Sequence, residues 1–342
     1  MRYIYILIIL LFPLIISAQD GGINTFSFIN IEYSPRVSAL GGNAIAIYDN
    51  DISLSLVTPS LLNSSMHNEL VFIFGDYFAD INLLSFSYAI DLKDIGVIGV
   101  SARSVNYGYF ERNDEAGYIN GGFTANDQVL TFGIAKKIHE KFSIGVNLNL
   151  LNSSYNVYNS VALSSNISST YFNAEKRFTS TLLIKNIGRQ VNTYSSFQEI
   201  LPCEVQFAIS RELAHLPFRY HLSYNDVMNF NIQSPYKLTV QTNIETGVLE
   251  IKKESIAKTA LRHIVLGGEL NPFKKNLFIR GGLNFQRRFD LTVISKPAMI
   301  GFSWGIGFRV AKYYFDFSRS SFHLSGTPNN FSVSTNLSSF GF

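Results

Sequence analysis

The sequence predicts an all-β fold, a transmembrane antiparallel β-barrel of about 14 strands with an N-terminal plug or hatch segment. Three observations lead there. Hydrophobic residues make up 46% of the 342 positions and charged residues only 15%, against about 25% charged in soluble domains. The apolar residues recur with a period of two. Beyond the first 18 residues, no stretch approaches the roughly 18 consecutive apolar residues of a spanning helix.

The composition suits sheet in a bilayer. Phe and Tyr are abundant at 29 and 18, while Trp occurs once and Met four times; aromatic residues favour strands and membrane–water interfaces. The net charge of +3 comes without a Lys/Arg cluster, so nucleic acid is not an expected partner. A single cysteine, Cys203, excludes an internal disulfide and a cysteine metal site. Its setting, Cys203-Glu204-Val205-Gln206-Phe207, reads as strand, with the thiol as a small buried hydrophobe.

The chain opens with an address. Met1-Arg2 is positive, Tyr3 to Ile16 is almost unbroken apolar sequence, and Ile16-Ser17-Ala18-Gln19 resembles a signal-peptidase site. The run is too short and wrongly flanked for a membrane helix, so residues 1–18 are expected to be removed on export, near Ala18. Residues 19–342 then form one outer-membrane barrel domain, of which 19–62 includes the hatch.

Alternation marks the strands. Phe142, Ile144, Val146, Leu148 and Leu150 enclose Ser143, Gly145, Asn147 and Asn149. Phe218, Tyr220, Leu222 and Tyr224 enclose Arg219, His221 and Ser223. Ile300, Phe302, Trp304, Ile306, Phe308 and Val310 enclose Gly301, Ser303, Gly305, Gly307 and Arg309. Weaker versions run from Leu84 to Ile90, Ile98 to Ala102 and Leu277 to Phe285. Several runs reach the ~9–11 residues of a tilted transmembrane strand. Arg103, Arg219, Arg280 and Arg309 fall on the polar parity, where a wet lumen would accept them; in a soluble sandwich, which alternation also fits, that parity would be the solvent face. Phe331 to Leu337 alternates too, and Phe340-Gly341-Phe342 suggests a last strand running to an aromatic end, where it closes on the first. A parity change after Leu337 leaves room for a bulge or fray.

Turn-prone clusters separate the runs, at Asn63-Ser64-Ser65, Asn113 to Gly117, Asn271-Pro272 and Gly326 to Asn330. About 14 strands leave about 23 residues for each strand with its connection. Gly21 to about Leu62 differs: it is rich in small residues and carries no spanning strand, with one short helical turn expected at Pro59-Ser60-Leu61-Leu62 after an N-cap at Thr58. It reads as a plug, the alternative being a periplasmic tail.

Catalytic and metal motifs are weak. Ser255-Ile256-Ala257-Lys258 has Ser-x-x-Lys spacing, but Lys258-Thr259-Ala260 lacks the glycine of its partner motif. Asp49-Asn50-Asp51 is a fragment of a calcium loop without its Gly and Glu, and reads as turn chemistry. The six histidines show neither an i, i+4 pair nor HExxH. A membrane hydrolase would need a Ser–His pair such as His221 with a distant serine, whereas a luminal or turn histidine is the simpler reading. Gly301 to Gly307 is strand packing, not a phosphate cradle. No enzyme activity, metal or cofactor is expected.

Longer words of the sequence resemble PorQ-type proteins. They are Gly21-Gly22-Ile23-Asn24-Thr25-Phe26-Ser27-Phe28-Ile29-Asn30; Ser34-Pro35-Arg36 through Leu40-Gly41-Gly42; Asp49-Asn50-Asp51; Thr58-Pro59-Ser60-Leu61-Leu62; and Tyr77-Phe78-Ala79-Asp80-Ile81-Asn82. Asn106-Tyr107-Gly108-Tyr109-Phe110, Asp114-Glu115-Ala116-Gly117 and Gly122 to Asp127 continue the match, with Leu201-Pro202, Pro217-Phe218-Arg219 and Arg262-His263 later on. The match covers nearly the whole chain; one departure is Thr58-Pro59-Ser60, where the family more usually has Asn-Pro-Ala. The resemblance implies a fatty-acid-transporter-like outer-membrane barrel, related to PorV, of the Bacteroidetes type IX secretion system. It implies a non-catalytic role, anchoring a PorZ-type surface protein and other attachment-complex components. Ser34, Arg36, Leu40, Gly41, Gly42, Asp49 and Asp51 are then hatch residues. Asn106, Tyr107, Tyr109, Phe110, Asp114 and Glu115 mark a candidate partner-contact loop within Asn106 to Gly122. The alternative function is a fatty-acid-transporter-like or porin-type channel for small solutes.

Overall fold

The computed structural model describes residues 25–195, 197–234, 240–242, 249–251, 254–273, 276–292, 299–322 and 326–341. The expected leader and its cleavage site lie outside them.

Fourteen strands close an antiparallel barrel: β1 (Glu69–Asp76), β2 (Asn82–Leu92), β3 (Gly96–Asn113), β4 (Ile119–His139), β5 (Phe142–Tyr155), β6 (Tyr158–Asn173), β7 (Phe178–Asn192), β8 (Glu204–Glu212), β9 (Phe218–Tyr224), β12 (Ile264–Leu270), β13 (Leu277–Asn284), β14 (Phe302–Val310), β15 (Tyr313–Ser320) and β16 (Asn329–Asn336). The short strands β10 (Val240–Thr242) and β11 (Leu249–Ile251) form a separate hairpin within the β9–β12 connection. Barrel strands pair with their neighbours in the chain, and β16 closes on β1 from Glu69↔Asn336 to Asp76↔Asn329. Closure satisfies the ladder groups that lipid cannot.

The pleat sorts side chains inside out. On β5, Leu148 is 63% exposed on the outer surface, whereas Asn147 and Asn149 are each 1% exposed in the lumen. Phe302 and Trp304 on β14 also face outward, and Ser303 inward. A soluble sheet would bury the first set and hydrate the second; here the apolar face meets lipid. The arginines expected on the polar parity follow the same rule, Arg103 and Arg280 being buried inside. Arg309, one residue from the end of β14, is exposed.

One end carries short turns, at residues 93–95, 140–141 and 311–312, and the other long connections, at 193–203, 225–263 and 285–301. The wall is uneven. β3 and β4 have 18 and 21 residues, but β3 pairs with β2 only as far as Asn106, and β4 with β5 only from Ala125. A hairpin therefore projects past its neighbours at the long-loop end.

Three local expectations are corrected. The segment from Asn106 to Gly122 is this hairpin, not a loop: Asn106, Tyr107, Tyr109 and Phe110 belong to β3, and Asp114 and Glu115 to its turn. A register shift between Asn106 and Tyr109, with Gly108 at φ +83°, breaks the two-residue period and hid the strand. Cys203 is exposed and precedes β8, because Pro202 interrupts the ladder there. The last strand stops at Asn336, whose side chain caps a 3₁₀ turn from Leu337 to Phe340. The chain turns away after the parity change instead of running in strand to an aromatic end; Phe342 lies outside the described residues.

An outward charge tests the inside-out pleat. Leu148→Arg, at the middle of β5, is expected to cost about 2–4 kcal/mol, read as a lower denaturation midpoint of the heat-modifiable barrel band. Asn149→Ser, on the luminal parity, should leave the closed barrel in place.

Candidate functional site: the plugged lumen

Residues 25–66 fill the lumen before β1 begins. The segment is built from 3₁₀ turns at Ser27–Asn30, Ile52–Leu56, Pro59–Leu61 and Ser64–Met66, and a one-turn helix α1 (Pro35–Ala39). The turn at Pro59 forms after Thr58, although the Thr58 side chain makes no capping bond. Small residues and short turns suit a core with no room for a long helix. Against β1–β4 the packing is apolar: Phe26, Phe28, Ile52, Leu56 and Met66 meet Val71, Ile73, Leu83, Val105 and Val129. Elsewhere plug backbone meets wall side chains such as Asn147 and Ser303, which donate to its carbonyls, or bare glycine. A Cβ at Gly282 would lie 2.2 Å from the Gly41 nitrogen, and one at Gly145 2.5 Å from the Pro59 carbonyl carbon.

Toward β9–β15 the packing is ionic and centres on Arg36. Its Nη1 and Nη2 donate to the two Asp49 carboxylate oxygens at 3.1 and 2.7 Å, and Nη1 also to Asp51 at 3.2 Å. Its Nε and Nη2 donate to Glu269 of β12, each at 2.9 Å. Arg280 of β13 donates to Glu269 at 2.7 Å and also pairs with Asp316 of β15. Arg219 of β9 reaches Asp49 and Glu269, each at 3.2 Å. Charges removed from water cost several kcal/mol each unless paired, and here each guanidinium meets two or more carboxylates.

The structure thus brings Arg36, Asp49 and Asp51 together. Ser34 caps α1, its Oγ accepting from the Val37 nitrogen and lying 2.7 Å from Ser53 Oγ. Asp51 caps the next turn, accepting from Ser53 N and Oγ. Leu40 is buried with Ala44, Ile47, Leu54 and Leu61. Gly41 and Gly42 have φ of +96° and +90° and end α1, with Gly42 N donating to Val37 O. Both aspartates are taken up by Arg36 and by their own turn, and among the described residues no cluster is placed to hold a metal. Sequence reading passed over Glu269 and Asp316. Each is an acid on the inward parity of a strand, Asp316 between Phe315 and Phe317, and that parity was the available clue.

The second set of predicted residues lies apart, on the projecting hairpin. Tyr109 and Phe110 are exposed, Phe110 stacking on Phe123. Asp114 accepts from the Ala116 and Tyr118 nitrogens within its own turn, and Glu115 is exposed. Asn106 Oδ1 accepts from Gly108 N. Tyr107 alone points inward, donating to Asp127 at 2.6 Å.

That contact belongs to a pocket of about 540 Å³ at the long-loop end, lined by Phe26, Phe28, Tyr107, Tyr155, Tyr158 and Tyr194. Asp127 is fully buried at its wall and accepts from the hydroxyls of Tyr107, Tyr155 and Ser153. Ser153 sits directly across the ladder from Asp127, and the β3 bulge turns Tyr107 toward it. A separate cavity of about 500 Å³ lies between the plug and β3, β6–β8, the β9–β12 connection and the segment from Asn284 to Asp290, with polar residues such as Asn43, Lys185, Glu204 and Asn225 in its wall.

Two loop helices stand at the same end, α2 (Ile256–Arg262) and α3 (Phe285–Leu291). Ser255, of the Ser-x-x-Lys match, is the N-cap of α2. Arg262 ties the helices together, donating to Glu254 at 2.7 and 2.8 Å and pairing with Asp290 of α3. The Arg262 hydrogen bond holds the Glu254 carboxyl down at about 2. Of the histidines, His263 bonds the carbonyls of Asn225 and Phe230. His221 is buried in the lumen with both ring nitrogens unpartnered.

An apolar exterior, a closed 14-strand ladder and a filled polar lumen identify the architecture. This is the fold of an outer-membrane β-barrel. Solved structures agree. The monoaromatic hydrocarbon channel CymD is similar at a TM-score of 0.51 and 13% identity, over 91% of this chain and 97% of that one. The toluene transporter TodX of Pseudomonas putida is similar at 0.50 and 10% identity, over 88% and 96%. A Pseudomonas aeruginosa FadL homologue scores 0.49 at 9% identity, over 88% and 98%. No protein-family model matches the barrel's sequence, and no curated protein does. The 14-strand outer-membrane barrel expected of the chain is therefore present as a fold, while the fatty-acid-transporter-like and PorQ-type resemblances rest on the sequence words.

Two outcomes follow from the ion pairs. Arg36→Ala leaves Asp51 without a cation and Asp49 and Glu269 with only Arg219 and Arg280 between them, and should cost about 3–5 kcal/mol; protease should then reach the plug while the barrel band stays folded. The Glu254 carboxyl is depressed from 4.5 to about 2 on folding. Its tie to α2 is thus fully present above pH 4.5 and lost as the pH falls toward 2. Amide exchange in α2 should be protected at pH 6 and fade across that window, and Glu254→Gln should flatten the change.

Proposed function

We propose that this barrel is an outer-membrane channel that admits a small, largely apolar solute at its long-loop end. The observation that carries this reading is the pocket lined by Phe26, Phe28, Tyr107, Tyr155, Tyr158 and Tyr194. Its size and aromatic lining, with one hydroxyl-bound carboxylate, suit a compact ring-bearing solute. In outer-membrane barrels the long loops face outward and the short turns face the periplasm, so the pocket would meet solute arriving from outside. The plug supplies part of the pocket's wall, so it can sense occupancy as well as close the lumen. Toluene, the cargo named for TodX, is the first probe. Proteoliposomes or cells carrying the barrel should take it up faster than empty controls. Phe28→Ala with Tyr155→Ala should lower that rate about tenfold, with the barrel band unchanged. Uptake equal to the controls would remove this reading.

A second reading is favoured by the hairpin of β3 and β4. Tyr109, Tyr118 and Ile119 are 66, 74 and 65% exposed on it, a projecting apolar group that loop solubility does not require. With the PorQ-type resemblance, it supports a role as the membrane anchor of a PorZ-type surface partner in type IX secretion. Deleting residues 110–122 should abolish recovery of that partner from detergent-solubilised outer membrane while leaving solute uptake intact.

A further inference from the structure

Among the described residues four arginines are buried: Arg36, Arg103, Arg262 and Arg280. Three of them meet two or more carboxylates each. Arg103 meets none. It stands on the inner face of β3, 4% exposed, and its Nε has no hydrogen-bond partner. Its guanidinium lies 5.5 Å from the ring centroid of Tyr33, a plug residue whose own buried hydroxyl is also unpartnered. Directly across the ladder is Ser85 of β2, a third buried group without a partner. Asp127, near it on β4, already accepts from three hydroxyls.

Two of these three orphans are not sealed in apolar packing. Arg103 and Tyr33 both line the cavity of about 500 Å³ beside the plug. The other cations named in its wall are satisfied: Lys185 pairs with Glu204 at 2.9 Å, and Arg287 with Glu32. Amides such as Asn30, Asn43 and Asn186 share the rest of the wall with apolar side chains and with the carboxylates of Glu32, Glu204, Asp226 and Asp290, none of which pairs with Arg103. An unpaired buried cation facing a cavity of ligand size lacks an anion. A guanidinium edge with a phenol beside it matches the planar, two-oxygen shape of a carboxylate, and the amides suit hydroxyl or amide groups on the rest of the molecule.

We infer that Arg103 and Tyr33 form a binding site for a small hydrophilic carboxylate in the luminal cavity. The site goes beyond the transport reading above, which rests on the separate aromatic pocket. The carboxylate enters the cavity, accepts from the Arg103 guanidinium and the Tyr33 hydroxyl, and thereby joins the plug to the β3 wall. An occupied site should hold the plug more firmly than an empty one.

Calorimetry on the full chain in detergent tests this, with succinate, inorganic phosphate and glucose compared at matched ionic strength. Succinate should bind and the other two should not. Arg103→Gln should weaken succinate binding at least tenfold, Tyr33→Phe several-fold, and Arg103→Lys by an intermediate factor. Succinate should also slow proteolysis of the plug in the unmodified chain but not in Arg103→Gln. Where Arg103→Gln fails to fold, Tyr33→Phe and Arg103→Lys carry the comparison. No succinate binding, binding of phosphate or glucose in its place, or equal succinate affinity in the unmodified chain and Tyr33→Phe would overturn the inference. Succinate binding without toluene uptake would sink the transport reading alone.

Discussion

Lipid offers no hydrogen bonds, and the architecture follows from that constraint. Fourteen ladders must close so that no strand edge is left in hydrocarbon, and β16 meets β1 for this reason. Closure turns one face of every strand outward and the other inward. The apolar row takes the outside, and the lumen inherits what lipid would not accept. Ser, Asn and Arg side chains therefore occupy the interior, where a soluble protein of this size would keep Leu and Val.

Such an interior has to be hydrated or filled, and here it is filled. The plug matches its surroundings sector by sector: apolar against β1–β4, charged against β9–β15. Buried charges give little net stability but are costly to separate. The Arg36 cluster accordingly fixes the plug's position more than it stabilises the fold. At Gly145 and Gly282 the wall is reduced to glycine where the plug backbone passes. Among the described residues an aromatic space and a mixed, largely amide- and charge-lined one lie where plug and wall do not mate.

The long-loop end concentrates what can be recognised. The projecting β3–β4 hairpin, the aromatic pocket below it and the loop helices tied by Arg262 all gather there, while the short-turn end is closed by brief connections. A single irregularity links two of these features. The bulge at Tyr107 and Gly108 sends one tyrosine into the pocket and lets the hairpin continue with Tyr109 turned outward.

Period-two rows such as Phe142 to Leu150 and Phe302 to Phe308 declared the sheet, and their length with the low charge content declared the barrel, because alternation separates the two faces of every strand. The same parity placed Arg103 and Arg280 inside. It was silent where the period breaks, so the bulged hairpin looked like a loop, and Cys203 and the last strand's end were misread. Parity also carries no depth and no neighbours. Arg36 meets Glu269 across 233 residues of sequence, and Arg103 faces a cavity whose acids do not reach it. Both outcomes depend on strand stagger and on how a folded plug seats in a closed ring, long-range relations that no local pattern encodes. Local chemistry determined the faces of the sheet; only the assembled ring decided which charges meet and which is left waiting.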